Sequence, residues 1–292
     1  MNQRISNRII CCLFVLPALF FYTLCTYYPL IASIRLSFTN WDGFDPNIQY
    51  IGFKNYQQLI KFPNLLRAVT NTAKFAIFTT FFQNLLQLLL ALALDRKMRT
   101  RGFIRASFFM PCLFSMVVIS AIFTYILQYD GVLNNILRVA GLGFLENDWF
   151  GNKDTALELI MAINIWQWTG FGSVIYLAGL QSIPGDYYEA ADIDGVSAWG
   201  KFRYITFPLL MPAITIMTFI ALSGGMRLFE MPYIITHGGP AGATQTIGTF
   251  IIQQNAVGRV ALACTVSVVL MALTVILAVI QLRITRSREV EA

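Results

Sequence analysis

The amino-acid sequence predicts an all-α, polytopic membrane protein with six transmembrane helices. Its 292 residues are 57% hydrophobic and only 12% charged, with a mean hydropathy of +0.62, whereas soluble domains carry about 25% charged residues. Six stretches free of Asp, Glu, Lys and Arg are each long enough to cross a bilayer core, which takes about 20 helical residues. Cations are concentrated beside alternate ends of these stretches, as expected for loops retained on one side of a membrane.

We predict one transmembrane domain over residues 1–292, with spans at about 9–34, 70–94, 106–129, 157–182, 205–227 and 260–282. The apolar run after Arg4 and Arg8 is too long for a signal peptide and lacks a clear cleavage site, so we expect a retained first helix. The charge-free stretch 231–258 is broken at His237-Gly238-Gly239-Pro240 and is rich in polar residues. We expect an external loop or a re-entrant segment there.

The cation pattern predicts the orientation of the chain. One set of loops is strongly basic and holds Arg4, Arg8, Arg96, Lys97, Arg99, Arg101, Arg105, Lys201, Arg203, Arg283, Arg286 and Arg288. By the positive-inside rule these loops and both termini lie in the cytoplasm. The net charge of +6 does not indicate a nucleic-acid partner, because the cations flank the spans and form no basic face.

A polar segment, residues 184–207, separates the fourth and fifth spans. Its charged side chains exclude it from hydrocarbon, and the cation pattern places it in the cytoplasm. Asp186 suits a helix N-cap, Tyr187 to Asp192 suit a short helix along the membrane surface, and Gly195 permits a turn into a second helix around Trp199 to Tyr204. The sequence around Glu189-Ala190-Ala191, with Gly195, Ile205 and Pro208, closely resembles the EAA loop of permeases in binding-protein-dependent ABC importers.

This resemblance implies a type I importer permease fold in the inner membrane of a prokaryote. It also implies that the short helix docks into a cleft of an ATPase subunit, through Glu189, Ala190, Ala191, Asp194 and Gly195. The expected partners are two ABC ATPases, a second homologous permease and an extracytoplasmic solute-binding protein. The pattern departs at Phe207, where the family usually has Leu.

No feature of the sequence predicts an enzyme. The only Gly-Lys pair, Gly200-Lys201, precedes Phe202, whereas a phosphate-binding loop requires Ser or Thr after the lysine. The five cysteines and single histidine show no metal-ligand spacing, so we expect no metal site. We expect no cofactor on this chain, with ATP and Mg²⁺ bound by the partner subunits.

A second resemblance concerns the transported solute. The segment from Leu228 to Thr236 with Gly238-Gly239-Pro240 is similar to a segment of sugar-uptake permeases. The stretches 37–40 and 53–56 also resemble the pattern that follows the first helix of these permeases. The resemblance implies a carbohydrate permease of the maltose or glycerol-3-phosphate type, with a polyol or glycerol phosphate as the alternative substrate. Gly238, Gly239 and Pro240 suit a sharp external turn near a docked binding protein.

Sugars require hydrogen-bonding groups and aromatic faces, so polar and aromatic residues at bilayer depth are candidate path residues. They are Asn164, Gln167, Trp168 and Tyr176 of the fourth span and Gln83, Asn84 and Gln87 of the second. Intramembrane amides also join helices to one another, and this alternative stays open. Arg227 and Glu230 have helical i, i+3 spacing, which suits either a mutual salt bridge or a gate or substrate contact.

Two other classes remain to be distinguished. A secondary transporter driven by an ion gradient would place acidic residues within its spans; the six charge-free stretches have none, and Glu230 lies just beyond one. A structural membrane scaffold would have no need of the segment 184–207. Dependence of uptake on ATP separates these classes from the importer.

Overall fold

A computed structural model describes residues 13–96 and 98–289 of the chain. Regular structure in these residues is helical, and their one strand-like contact is an isolated antiparallel bridge between Thr39 and Tyr50. The all-α fold class is therefore confirmed. The predicted start of the first span, the cations Arg4, Arg8 and Lys97, and both chain ends lie outside the described residues.

The described helices are numbered in chain order. They are α1 (Leu13–Leu36, with a π-helical turn at Thr23–Tyr27), α2 (Lys54–Leu59), α3 (Pro63–Asp95), α4 (Arg101–Phe109), α5 (Met116–Leu127), α6 (Val132–Val139), α7 (Ala156–Gln181), α8 (Asp186–Ile193), α9 (Ala198–Leu209, π-helical over Phe202–Thr206), α10 (Met211–Met226), α11 (Glu230–Thr236), α12 (Ile247–Ala256) and α13 (Val260–Arg286).

The chain divides into two compact units, and the first combines the residues up to Phe62 with Ile251–Val269. In this unit two motifs of the sequence meet where α1 ends. Asn55 Nδ2 donates to the carbonyl oxygens of Ser37 at 2.9 Å and of Thr39 at 2.7 Å, and Tyr56 OH lies 2.8 Å from Ser37 Oγ. These side chains bond to groups that the end of a helix leaves without an intrahelical partner. The motif residues thus fix the turn that follows α1.

The second unit, Pro63–Phe250 with the chain from Leu270 onward, is organised around the long helices α3 and α7. The two helices run in the same direction, since residue numbers at their contacts increase along both helices together. Side chains of α3 bond to α7 at Lys74 with Glu158, Gln83 with Asn164, and Gln87 with Trp168. The helix α10 packs against α3 and, less extensively, against α7.

Glycines allow three close approaches in the second unit. A β-carbon built on Gly170 would lie 1.9 Å from the carbonyl oxygen of Phe108, and one on Gly225 would lie 2.8 Å from Cα of Ala76. On Gly172 it would lie 2.1 Å from the side chain of Gln87. Helices in lipid associate through van der Waals contact and hydrogen bonds, since the surrounding hydrocarbon is as apolar as leucine. Small residues at the contacts therefore support this packing.

Two predicted spans are interrupted by proline. The stretch 106–129 is divided among α4, a 3-10 turn at Met110–Leu113 and α5, and the break contains Pro111 and an extended Phe114. Ser115 caps α5 by accepting a hydrogen bond from the N–H of Val118 at 3.3 Å. The stretch 205–227 is divided between α9 and α10, which meet at an angle of 66°. Proline lacks a backbone donor and crowds the preceding turn, which accounts for both breaks.

The described residues contain four helices that are long and apolar enough to cross a membrane, or five if α9 and α10 count as one broken span. The four are Leu13–Leu36, Pro63–Asp95, Met116–Val139, which includes α5 and α6, and Val260–Arg286. The helix α7 has 26 residues, but its amides and other polar side chains lower its hydropathy. These results are compatible with six crossings, and the six predicted spans stay a prediction.

The stretch 231–258 contains two helices, α11 and α12, on either side of a compact turn. Asn71 of α3 holds this turn, since its Nδ2 lies 3.2 Å, 3.0 Å and 3.0 Å from the carbonyl oxygens of Gly242, Ala243 and Gln245. Arg67 also donates to the carbonyl oxygen of Ala241. The expected loop or re-entrant segment is therefore partly helical, and side chains of α3 fasten it by donating hydrogen bonds to its backbone carbonyl groups.

The Gly225 contact can be tested by adding one carbon atom. We expect Gly225→Ala to destabilise the fold by about 1–3 kcal/mol, because the new methyl group meets backbone that cannot rotate away. A β-carbon on Gly224 meets nothing within 4 Å, so Gly224→Ala is the matched control and should gain up to about 1 kcal/mol of helix propensity. Thermal unfolding midpoints in detergent measure both changes, and equal midpoints would contradict the close approach.

Candidate functional site

A cavity of about 190 Å³ in the second unit contains several of the predicted path residues. Its polar lining is Gln83, Gln87, Asn164, Trp168 and Arg227. The remaining wall is mainly apolar and includes Phe75, Met116, Phe171, Met217, Ile220 and Leu228. The cavity thus combines amide groups and aromatic rings within an otherwise apolar wall, as is common in small-molecule sites.

Two of the lining amides bond directly to one another. Gln83 Nε2 donates to Asn164 Oδ1 at 2.8 Å, and Asn164 Nδ2 lies 3.9 Å from Sδ of Met231. Both amides are almost fully buried. This bond joins α3 to α7 and also fixes the orientation of two polar side chains at the cavity wall.

Gln87 is the lining residue with an unused hydrogen-bonding group. Its Nε2 donates to the carbonyl oxygen of Trp168 at 3.1 Å, while its Oε1 is buried and has no partner in the described part of the chain. The side chain is 1% exposed and packs against the backbone of Gly172. Buried polar atoms are nearly always hydrogen-bonded. Gln87 Oε1 is therefore a buried acceptor in the cavity wall that has no partner among the described residues.

Three of the predicted path residues serve to join helices and do not line the cavity. Tyr176 OH donates to Asn84 Oδ1 at 2.5 Å, and Asn84 Nδ2 donates to the carbonyl oxygen of Thr80 at 2.7 Å. Gln167 Nε2 donates at 3.1 Å to the carbonyl oxygen of Phe114, in the break before α5. The interpretation of intramembrane amides as ties between helices fits Asn84 and Gln167, and Tyr176 is the partner of Asn84 in such a tie.

Arg227 and Glu230 do not form the mutual salt bridge that was one of their two interpretations. The structure forms no ion pair between them within 4 Å; instead Arg227 Nε donates at 3.1 Å to the carbonyl oxygen of Ser223, one turn earlier. Arg227 is exposed and lines the cavity, whereas Glu230 begins α11. The helix α10 ends at Met226, just before Arg227, so the two residues do not share a helix and lack the spacing that a salt bridge required.

The apolar lining was not among the predicted path residues. Met217 and Ile220 of α10 and Leu228 after it are ordinary apolar residues of a hydrophobic stretch, so the sequence does not distinguish them from packing residues. Phe75 lies about two helical turns before Gln83 on α3, and Phe171 lies about one turn after Trp168 on α7. Proximity to the intramembrane amides is the signal that could have identified these two.

The segment 184–207 folds as two short helices around a glycine turn. Gly195 has φ of 70°, a left-handed conformation that suits glycine. Ser197 caps α9 by accepting from the N–H of Gly200 at 3.2 Å. Lys201 forms an ion pair with Asp192, which connects the two helices. The predicted turn is therefore present and is held by side chains on both sides.

Details of this segment differ from the prediction. Asp186 is the first residue of α8, and Gly185 occupies the N-cap position without a side-chain bond. Ala191 is buried, so of the two alanines only Ala190 is exposed for close approach to a partner. Asp194 is the C-cap of α8. The sequence did not indicate the exposed apolar side chains, which include Tyr187, Ile193, Trp199 and Tyr204.

The predicted external turn has the backbone that its glycines suggest. Gly238 has φ of 84°, and Gly239 N–H donates to the carbonyl oxygen of Thr236 at 2.8 Å. Thr244 Oγ1 donates back to the carbonyl oxygen of Gly239 at 2.8 Å. These bonds close the turn on itself. Its contact with a binding protein stays a prediction.

Comparison with known proteins then assigns the chain to a family. A family model described as "Binding-protein-dependent transport system inner membrane component" matches residues 83–288. The chain belongs to this family. The permease is 33% identical over 285 residues to the "Probable starch degradation products transport system permease protein AmyD" of Thermoanaerobacterium thermosulfurigenes, covering 96% of the chain and 94% of the relative.

The permease is also 33% identical over 282 residues to the "Lactose transport system permease protein LacF" of Rhizobium radiobacter, covering 95% of the chain and 94% of the relative. A crystal structure of a bacterial ABC transporter involved in the import of the acidic polysaccharide alginate matches with a TM-score of 0.85, 23% identity and 98% coverage of both chains. The predicted family and the importer permease fold are confirmed. The protein is a multi-pass inner-membrane component.

The bond between Gln83 and Asn164 gives a prediction about stability. Gln83→Leu or Asn164→Leu alone should cost about 0.6–1.7 kcal/mol, the range for such bonds between membrane helices. The double variant should cost less than the sum of the two single changes. Each single change leaves one buried amide unpaired, whereas the double variant removes both amides. Thermal unfolding of the four proteins measures the coupling. Additive costs would show that the two amides act independently.

Proposed function

We propose that this permease and a second homologous permease form the membrane path for a sugar delivered by an extracytoplasmic solute-binding protein. Two partner ATPases, which bind the ATP and Mg²⁺, supply the energy. The cavity lined by amides and Trp168 is the observation that carries this proposal. The names of the two relatives, which refer to starch degradation products and lactose, support a carbohydrate as the substrate class.

The cavity groups match the chemistry of a sugar. A sugar ring presents hydroxyl groups at its edge and C–H groups on its faces, and aromatic side chains pack well against such faces. Gln87 Oε1 offers an acceptor to a hydroxyl group, while the ring of Trp168 supplies an apolar surface. Among the described residues, the cavity lining contains no carboxylate, which disfavours a cationic solute. Arg227 supplies further donors beside the Gly224-Gly225 pair.

The segment 184–207 is the proposed contact with an ATPase. In this proposal the segment and both termini of the chain are on the cytoplasmic side of the membrane. Its exposed face combines Glu189 and Ala190 with the large apolar side chains of Ile193 and Trp199, which are 88% and 68% exposed. Such a face fits a cleft with an apolar floor and a basic rim. Exposed apolar side chains of this size commonly mark protein interfaces.

The same segment has a route for transmitting movement. The ion pair between Lys201 and Asp192 and the contact of Tyr188 OH with Thr206 Oγ1 at 3.0 Å bind α8 to α9. The helix α9 leads directly into α10, which lines the cavity. Displacement of α8 by a closing ATPase dimer would therefore be carried to the cavity wall, as in rigid-body switching.

A matched pair of glutamines tests the substrate role of the cavity. Gln87 and Gln167 are both 1% exposed, both donate to a backbone carbonyl at 3.1 Å, and both have an unpartnered Oε1. Only Gln87 lines the cavity. We expect Gln87→Leu to raise the KM for uptake about 2- to 10-fold, the effect of one lost hydrogen bond, while Gln167→Leu leaves KM unchanged.

The measurement is ATP-driven uptake into proteoliposomes that contain all subunits, using the sugar that the partner binding protein selects in a ligand screen. The thermal stability of the two variants should fall by similar amounts, which separates substrate binding from packing. Equal KM values for the two variants would remove the cavity from the path. Uptake sustained by an ion gradient without ATP would contradict the importer itself.

The turn at Gly195 tests the coupling role. A β-carbon meets nothing within 4 Å on Gly195 or on Gly185, but only Gly195 has a positive φ. Gly195→Ala should therefore strain the turn by about 1–2 kcal/mol and weaken co-purification of the ATPase, whereas Gly185→Ala should not. Retention of ATPase and of uptake in both variants would show that the turn is not required for coupling.

A further inference from the structure

A long apolar groove runs between α3, α4 and α7 in the second unit. Its volume is about 550 Å³, and its lining includes Phe78, Phe82, Leu86 and Leu90 of α3, Phe108 of α4 and Trp166 of α7. Thr169, which has the only hydroxyl group in the lining, donates to the carbonyl oxygen of Ile165 at 2.6 Å. Apart from the indole N–H of Trp166, the described lining of the groove therefore offers hydrocarbon contact.

Arginines gather beyond one end of this groove. Arg96 and Arg99 follow the end of α3, and Arg101 and Arg105 lie on α4. In the described part of the chain, none of the four has a carboxylate within 4 Å. Four neighbouring guanidinium groups without an internal anion favour an anionic ligand from outside the chain.

The groove and the arginines share one face of α4. Arg101, Arg105 and Phe108 have spacings of four and three residues, which place them in one row along a helix. Arg105 lies about 4.5 Å and Arg101 about 10 Å from Phe108 along the helix axis. The groove wall on α3 extends from Phe78 to Leu90, about 18 Å. One leaflet of a bilayer core is about 15 Å thick, so the groove has the length of an acyl chain.

We propose that this groove binds an anionic phospholipid, with an acyl chain along α3 and the phosphate at Arg101 and Arg105. Guanidinium groups bind phosphate oxygens through two parallel hydrogen bonds. Basic pockets between membrane helices are suited to anionic headgroups. A helix of a partner protein would fill the groove equally well, but it would leave the arginines unneutralised. The charge at the groove end therefore favours the lipid.

Native mass spectrometry of the purified full chain tests the site, with dioleoylphosphatidylglycerol and dioleoylphosphatidylcholine as probes. We expect the unchanged chain to retain the phosphatidylglycerol preferentially. Arg101→Gln with Arg105→Gln should weaken its binding about 30-fold, the effect of removing two basic residues near a membrane surface. The corresponding lysine variant should retain most of the binding, because it keeps both charges.

Two further variants separate the headgroup from the acyl chain. Arg283→Gln with Arg286→Gln removes the same charge from the end of α13 and should leave lipid binding unchanged. Ala162→Phe adds a ring at an exposed position of the groove wall, so it should weaken the binding of both lipids without changing the arginines. Thermal unfolding of each variant checks that the fold is intact.

Three results would overturn the proposal. The first is that the double glutamine variant of Arg101 and Arg105 retains as much phosphatidylglycerol as the double glutamine variant of Arg283 and Arg286. The second is displacement of the lipid by inorganic phosphate at millimolar concentration, which would show that the anion alone occupies the site. The third is loss of the lipid when the chain assembles with its second permease, which would assign the groove to a partner helix.

Discussion

The second unit depends on the pairing of two helices that run in the same direction, α3 and α7. In lipid, the apolar surfaces of two helices gain little by leaving the hydrocarbon, so the pairing must come from close contact and polar bonds. Both are present, because Gly172 lets α7 approach the side chain of Gln87 and because buried amides bond across the interface. The cavity forms beside this pair, and its polar wall, apart from Arg227, consists of residues that hold the pair together.

This arrangement gives a buried amide two possible uses, and neighbouring residues decide between them. Gln87 and Gln167 have the same side chain, burial and type of backbone bond, yet only Gln87 borders open space. Tyr176 is occupied by Asn84 in the same way. Their roles follow from what lies beyond each side chain, which is a tertiary property. One residue type therefore lines the cavity on α3 and ties helices together on α7.

Because such roles depend on tertiary contacts, the sequence predicts some features of the permease structure and not others. Composition and charge placement predict the helical membrane class, and the glycine turn at Gly195 follows from local backbone chemistry. The motif residues Ser37 and Asn55 also meet in the structure. The breaks at Pro111 and Leu210 were missed, because a charge-free stretch reveals length but not continuity. The buried face of Ala191 was missed because contacts with neighbouring helices, rather than residue size, determine which alanine is covered.

The turn after α11 is attached to α3 through hydrogen bonds to its main chain. Asn71 bonds to the carbonyl oxygens of Gly242, Ala243 and Gln245, which every residue type carries. The path of the main chain is thereby maintained from α3, whereas the methyl group of Ala243 makes none of these hydrogen bonds. Evolution can diversify position 243 among related transporters while the turn keeps its place, provided that the asparagine is retained.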